Sequence, residues 1–155
     1  MTDLEPTRLQ IYVDGACKPK NPGGAPVWGC CFIRNGVPVD TMGGLAGAEA
    51  SEKATNNVAE YAAVINALKE AKRRGWEKDD ITVYTDSQLV QGQIEAGMKV
   101  EATHLITLNR KAVQLKSTFS SAKLVWILGE KNKVAHNAAK TAYLEWVLGQ
   151  KNIER

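Results

Sequence analysis

The sequence predicts a layered α/β domain, and three observations carry that expectation. Short β-rich runs broken by Gly, Pro and Asn fill the first third. One long stretch with apolar residues every three or four positions follows. Beyond it, strand-like and helix-like runs are interleaved, giving the order β-β-β-α-β-α-α-β-α.

Residues 9–14, LQIYVD, alternate and are rich in β-formers, so a strand is expected to end at Asp14. The glycines and prolines of residues 15–26, GACKPKNPGGAP, predict a loop or wide turn. A second strand is expected over residues 27–34, VWGCCFIR. Asn35-Gly36 then gives a strong hairpin signal, because both turn positions require positive φ. A third strand follows from Val37 to about Leu45, so the first third reads as an antiparallel meander. From Asn57 to Arg74, the residues Val58, Tyr61, Ala62, Ile65, Leu68 and Ala71 form one helical stripe. Lys and Arg crowd the last turn and Gly75 follows, as at a helix C-terminus. Residues 81–86, ITVYTD, predict a strand that again ends in aspartate. A short helix is expected from Ser87 to about Ala96, stopped by Gly97. His104 to about Phe119 predicts another helix, with Leu105, Leu108, Ala112 and Leu115 on one face. A strand over 123–128, KLVWIL, and a helix from near Asn132 to about Leu148 complete the pattern.

With 155 residues, 44% hydrophobic and 24% charged, the chain is expected to form a single domain over 1–155, its core over about 9–148. This composition excludes a mainly disordered or collagen-like chain. A domain of this size buries roughly two thirds of its unfolded surface and needs no disulfide or zinc staple. No apolar run approaches the length of a membrane span. Met1 to Gln10 lacks a basic and an apolar region, so no signal peptide is expected. Cys17, Cys30 and Cys31 are an odd set without a C-x-x-C pair, and neighbours in a strand point to opposite faces. They are read as small buried residues in a reducing cytoplasm. The net charge of +3, from 20 Lys and Arg against 17 Asp and Glu, permits a polyanion partner without requiring one.

Asp14 and Asp86 each close a short apolar strand, and Glu60 sits in the first turn of the long helix. Ligands gather at strand ends in open α/β sheets. Taken singly, each acid reads as a turn former, a cap or a partner for the helix dipole. Together, DGACKPKNPGG, TNNVAEY and YTDSQLV are three polar segments tied to buried elements.

In that order, Asp14-Gly15 with Asn21-Pro22-Gly23, Thr55-Asn56-Asn57 with Glu60, and Thr85-Asp86-Ser87 resemble the ribonuclease H family, type 1. The resemblance runs from about Ile11 to Leu148 and implies a ribonuclease H-like fold, a five-stranded mixed sheet flanked by helices. It implies an endonuclease that cuts the RNA strand of RNA–DNA hybrids, leaving 5′-phosphate and 3′-hydroxyl ends. Asp14, Glu60 and Asp86 match the first three acids of the family's active site. The family uses two magnesium ions there, with manganese often accepted. Hard divalent cations favour carboxylate and water oxygens, and a pair of them can clamp the attacking and leaving oxygens. Asn21, Asn56, Asn57 and Gln88 match positions that touch the hybrid in its minor groove. Amides donate and accept at once, which suits 2′-hydroxyls. For Asn56-Asn57 a helix cap is the equal alternative. The implied partner is an RNA–DNA duplex; neither a membrane nor an obligatory protein partner is expected.

The chain departs from the family at its last helix. The family pattern N-x-x-A-D reads Asn132-Lys133-Val134-Ala135-His136, so His136 stands where the fourth acid is usual. Three readings are open: a neutral nitrogen ligand for the second metal, a proton shuttle, or drift in a protein with reduced activity. The last leads to the alternative of a hybrid-binding protein with weak or no catalysis; a pure interaction module is disfavoured by the three intact acids. The loop Gly129-Glu130-Lys131 is short and lacks the family's mobile histidine; Glu130 is a candidate neighbour of the site whose role the sequence does not fix. Lys69, Lys72, Arg73, Arg74 and Lys78 read as a solvated face at a helix end, whereas Lys18 and Lys20 border the site. No basic protrusion is expected between Gly97 and His104, a helix-start residue. Trp126 and Trp146 read as packing residues.

Overall fold

A computed structural model describes residues 5–46 and 53–153; Met1 to Leu4, part of the N-terminal stretch read above, lie outside it. The elements follow the expected order: β1 Arg8–Lys18, β2 Ala25–Arg34, β3 Val37–Leu45, α1 Asn56–Arg73, β4 Asp80–Thr85, α2 Gln88–Glu95, α3 Thr103–Ser117, β5 Ser121–Trp126 and α4 Lys133–Ile153. A single 3-10 turn, Gly129–Lys131, precedes α4. The five strands form one mixed sheet in the order β3-β2-β1-β4-β5. β1, β2 and β3 pair antiparallel, while β4 runs parallel to both β1 and β5. The Asn35-Gly36 turn has φ of 49° and 78°, as the hairpin signal required.

β1 does not end at Asp14. It continues to Lys18 because Gly15, Ala16, Cys17 and Lys18 pair with Trp28, Val27, Pro26 and Ala25. The expected loop over 15–26 therefore shrinks to the Pro- and Gly-rich residues 19–24. The β5 strand likewise stops at Trp126, although Ile127 still donates to the Thr85 carbonyl at 2.8 Å. α4 outlasts the expected end near Leu148 and reaches Ile153.

The sheet has a helix layer on each face. α1, with α2 and α3 beside it, covers one face over a core of Leu9, Ile11, Val13, Phe32, Tyr61, Leu68, Ile81 and Val83. α4 covers the other, where Val27 meets Ala139 and Ala142. Both helices sit close to the strands at glycines. A Cβ on Gly15 would lie 2.3 Å from the Ala59 carbonyl of α1. A Cβ on Gly29 would lie 2.3 Å from the Ala139 nitrogen of α4. Gly15 and Gly29 thus set the seating of the two helices that flank β1.

Cys17, Cys30 and Cys31 are all free and buried, as expected. Burial and the neighbouring Cys31 push the Cys30 thiol up to about 12. The basic cluster at the end of α1 divides. Lys72 and Lys78 are exposed, but Arg74 is not part of a solvated face. It bonds Glu70 and Asp40 and lies over the rings of Phe32 and Trp76. Trp126 is also not a packing residue. It closes an edge strand, is 39% exposed, and donates its indole N–H to the Asp86 carbonyl at 3.2 Å. Trp146 is half-buried beside Tyr143. His104 is the second residue of α3, and the 96–102 connection holds no further helix.

Candidate functional site

β1 and β4 pair in parallel only as far as Tyr12 and Tyr84. Beyond that point β1 stays with β2, and a fork opens between the two strands. Asp14 lies on β1 just past the last pair, and Asp86 follows the end of β4. Glu60 bridges the fork from α1: its Oε1 accepts from the Gly15 amide at 2.5 Å and its Oε2 from the Thr85 hydroxyl at 3.4 Å. The ligand oxygens of Asp14, Glu60 and Asp86 all lie within 4.8 Å of one another.

Asp14 and Glu60 are 5% and 6% exposed, so water screens this crowd of like charge poorly. Burial first, and then the charge of Asp14, hold Glu60 well above the usual carboxylate range. The same causes in the same order raise Asp86. The three acids line an open cleft of about 330 Å³ with Asn56, Asn57, Ser87 and His136. Among the described residues lining it, none is Lys or Arg. Three convergent carboxylates without a counter-charge fit a hard divalent cation, whose charge and oxygen preference supply what the cluster lacks.

His136 is not a member of the 4.8 Å group. It reaches the cluster from α4, across the sheet, with Nδ1 3.1 Å from Asp14 Oδ2. Asn132 enters from the same helix start. It is 1% exposed, and its Nδ2 donates to the Val13 carbonyl at 2.7 Å, so α4 is bonded to β1 one residue before Asp14.

The amide residues divide. Asn57 lines the cleft. Asn56 lines it too, but its Oδ1 accepts from the Cys17 amide at 2.8 Å. Asn21 Oδ1 accepts from the Asn56 amide at 3.0 Å, one bond outside the cleft wall. The cap of α1 is Thr55, whose hydroxyl accepts from Val58 N at 3.2 Å, so the capping alternative for Asn56-Asn57 is overturned. Gln88 is exposed at the first position of α2 and is not part of the cleft lining. Glu130 lines a separate cleft with Tyr12, Cys31 and Lys133. The sequence reading missed Thr85, Ser87, Asn132 and Trp126 as neighbours of the acids. Thr85 and Ser87, flanking Asp86, and Asn132, the first residue of the Asn132–His136 pattern, carried a signal in the quoted motifs; Trp126 carried none.

The chain matches the family described as reverse transcriptase-like over residues 13–142. It is 43% identical over 88 residues to a ribonuclease H of Francisella tularensis subsp. novicida, covering 56% of this chain and 49% of that relative. The chain thus spans about half the length of the curated relatives it matches. RNase H1 from the halophilic archaeon Halobacterium salinarum superposes with a TM-score of 0.77 at 29% identity, covering 89% of this chain and 98% of the other. LC11-RNase H1, solved in complex with an RNA/DNA hybrid, shares the fold with a TM-score of 0.71 at 24% identity, covering 87% and 99%. The chain belongs to the reverse transcriptase-like family. Within it, the type 1 ribonuclease H resemblance read from the Asp14, Glu60 and Asp86 motifs stands.

Proposed function

We propose that this chain is a cation-dependent endonuclease that hydrolyses the RNA strand of RNA–DNA hybrids, leaving 5′-phosphate and 3′-hydroxyl ends. The observation that carries the reading is the uncompensated trio Asp14, Glu60 and Asp86, convergent in an open cleft. The ribonuclease H relatives support the same chemistry. Asp14, on the central strand, Glu60 and Asp86 would hold two magnesium ions, or manganese in their place. Bound there, the cations supply Lewis acidity and an acidified water for phosphodiester hydrolysis.

The chain's own residues hold and orient that centre. The Gly15 amide and the Thr85 hydroxyl fix both oxygens of Glu60. His136 would serve as the fourth ligand, a neutral donor where an aspartate would bring charge. Asn21, Asn56, Asn57 and Gln88 offer amides to the 2′-hydroxyls and backbone of an A-form-like minor groove. Because Asn21 and Asn56 already use their oxygens within the fold, they meet substrate through their NH2 groups. Lys18, the last residue of β1, and Lys20 in the turn after it lie outside the cleft lining and would meet phosphates farther along the duplex. We place this activity in the cytoplasm, which suits three unpaired thiols; no helix among the described residues is long and apolar enough to cross a membrane.

A second reading is favoured by one observation, the imidazole at position 136: a hybrid-binding protein with weak or no catalysis. Cleavage of a labelled RNA–DNA hybrid with magnesium or manganese, against RNA–RNA and DNA–DNA controls, decides between them. Metal-dependent cleavage confined to the hybrid and spread over many sequences is expected. Hybrid binding without cleavage in either metal would leave the second reading standing.

A further inference from the structure

Tyr61 follows Glu60 on α1 and is fully buried. Its hydroxyl donates to Gln93 Oε1 of α2 at 2.6 Å and accepts from Asn109 Nδ2 of α3 at 3.0 Å. The same Asn109 amide lies 3.3 Å from the Gln93 carbonyl, and Gln93 Nε2 donates to the Lys99 carbonyl at 3.4 Å. One hydroxyl therefore ties three helices and the connection between two of them. Otherwise α1 and α2 meet only along a short stretch.

α1 carries Glu60, and α2 begins just beyond Asp86, which follows the end of β4. Glu60 immediately precedes Tyr61, and Asp86 immediately precedes Ser87, the N-cap of α2. Gln93 lies six residues beyond Ser87, roughly 9 Å along the helix at 1.5 Å per residue. Like charges on two elements with little shared contact push those elements apart. A buried hydrogen bond with both partners engaged resists that push, and a phenol on a short rigid stem holds one length.

We infer that Tyr61 is a positioning residue for the carboxylate cluster: bonded to Gln93 and Asn109, it sets the separation of Glu60 and Asp86 and hence the fit of the cluster to a divalent cation. The inference rests on the cation-binding reading of that cluster. In the sequence Tyr61 belongs to the apolar helical stripe of α1, and nothing in that stripe distinguishes its hydroxyl.

The test is titration of the full chain with magnesium, by calorimetry, and with manganese, by water-proton relaxation, in the absence of nucleic acid. Tyr61→Phe removes only the hydroxyl and is expected to raise the cation Kd roughly tenfold. Asp79→Asn, which breaks the remote Arg34–Asp79 pair, is the stability control and leaves Kd unchanged. The triple variant Tyr61→Phe, Gln93→Leu, Asn109→Leu removes all three side-chain partners together, leaving none of their polar groups orphaned against another, and Kd stays raised although the Gln93 and Lys99 carbonyls lose a donor. Asn109→Ala, at a half-buried position, removes one of the two bonds and shifts Kd the same way by less; it decides the matter if Tyr61→Phe does not fold. An unchanged Kd in Tyr61→Phe, an equal rise in Asp79→Asn, or a triple variant with restored Kd overturns the inference. If the wild type shows no binding that Asp14→Asn removes, the cation reading falls first and the inference falls with it.

Discussion

His136 and Asp14 meet through the gap left by a missing side chain: imidazole Nδ1 on α4 lies 3.1 Å from Asp14 Oδ2 on β1, and Gly29 is the residue paired with Asp14. This contact puts an imidazole, where a carboxylate would bring charge, against a cluster that carries up to three negative charges. Two divalent cations would bring four positive ones.

His136→Asp supplies the missing charge. Magnesium affinity, and hybrid cleavage in magnesium, are expected to rise several-fold, and manganese values to rise less. Magnesium insists on oxygen ligands, whereas imidazole suits metals further along the first-row series. Without cation the same variant adds a fourth like charge and melts at a lower temperature. Cation half-saturation and metal-free melting are the two measurements. If activity instead drops in both metals, His136 moves protons and is not a ligand.

Asp14→Asn is expected to abolish cleavage and to stabilise the metal-free fold. The pH dependence follows from the raised Glu60 and Asp86. A carboxyl whose pKa is raised on folding contributes stability that is complete below its unfolded pKa and lost as pH rises through the folded value. Metal-free wild type should therefore lose melting temperature from about pH 4 upward toward neutrality. Asp14→Asn should lose less, and excess magnesium should flatten the wild-type profile. Calorimetry across that range with and without chelator checks all three. A gap between variant and wild type that narrows with rising pH would falsify the like-charge account.

Gly15→Ala tests the seating of α1. The new Cβ would lie 2.3 Å from the Ala59 carbonyl carbon and oxygen and 2.6 Å from the Glu60 nitrogen, all backbone. The helix must shift, at a cost of about 3 kcal/mol. Because the Gly15 amide also holds Glu60, cation affinity should fall in the same variant. Gly36→Ala is the contrast: nothing lies within 4 Å, so only its φ of 78° is strained, costing about 1 kcal/mol. Urea denaturation of both variants gives the comparison.

Glu70→Gln addresses the other end of α1. Hydrogen bonds from Arg73 and Arg74 hold the Glu70 carboxyl down at about 2. A lowered carboxyl stabilises the fold above its unfolded pKa, and that contribution disappears as pH falls through about 2. The variant should melt below wild type at pH 7, and the difference should close in strong acid. Arg73 is 70% exposed while Arg74 is 21% exposed, so Arg74→Ala should cost more than Arg73→Ala.

What could be read in advance followed from local rules. The Asn35-Gly36 turn, the α1 stripe and the strand over 81–86 are each set by residues a few positions apart. Asp14 was located on the right strand but at the wrong place on it, because Gly15 to Lys18 owe their strand geometry to pairing with β2 and not to β-propensity. Asn132 could not be read as a tie to β1, since its partner Val13 lies 119 residues away. The exposure of Trp126 depends on where an edge strand stops, which composition does not encode. His136 stood out only against a family pattern, and its contact with Asp14 required the fold.

Gly29 has a further consequence for how this centre can change. At that point the spacing between β2 and α4 is fixed by main-chain atoms, with Ala139 N and Ala135 O at 2.3 and 2.7 Å from any added Cβ. Main-chain atoms are common to every amino acid, so exchanges at position 136 leave that spacing alone. The helix behaves as a socket of constant depth: aspartate, asparagine or histidine can be fitted there, and each presents different chemistry to Asp14 over nearly the same span. Charge at this corner can therefore vary independently of architecture, and a single exchange at position 136 changes what faces Asp14 without repacking the sheet.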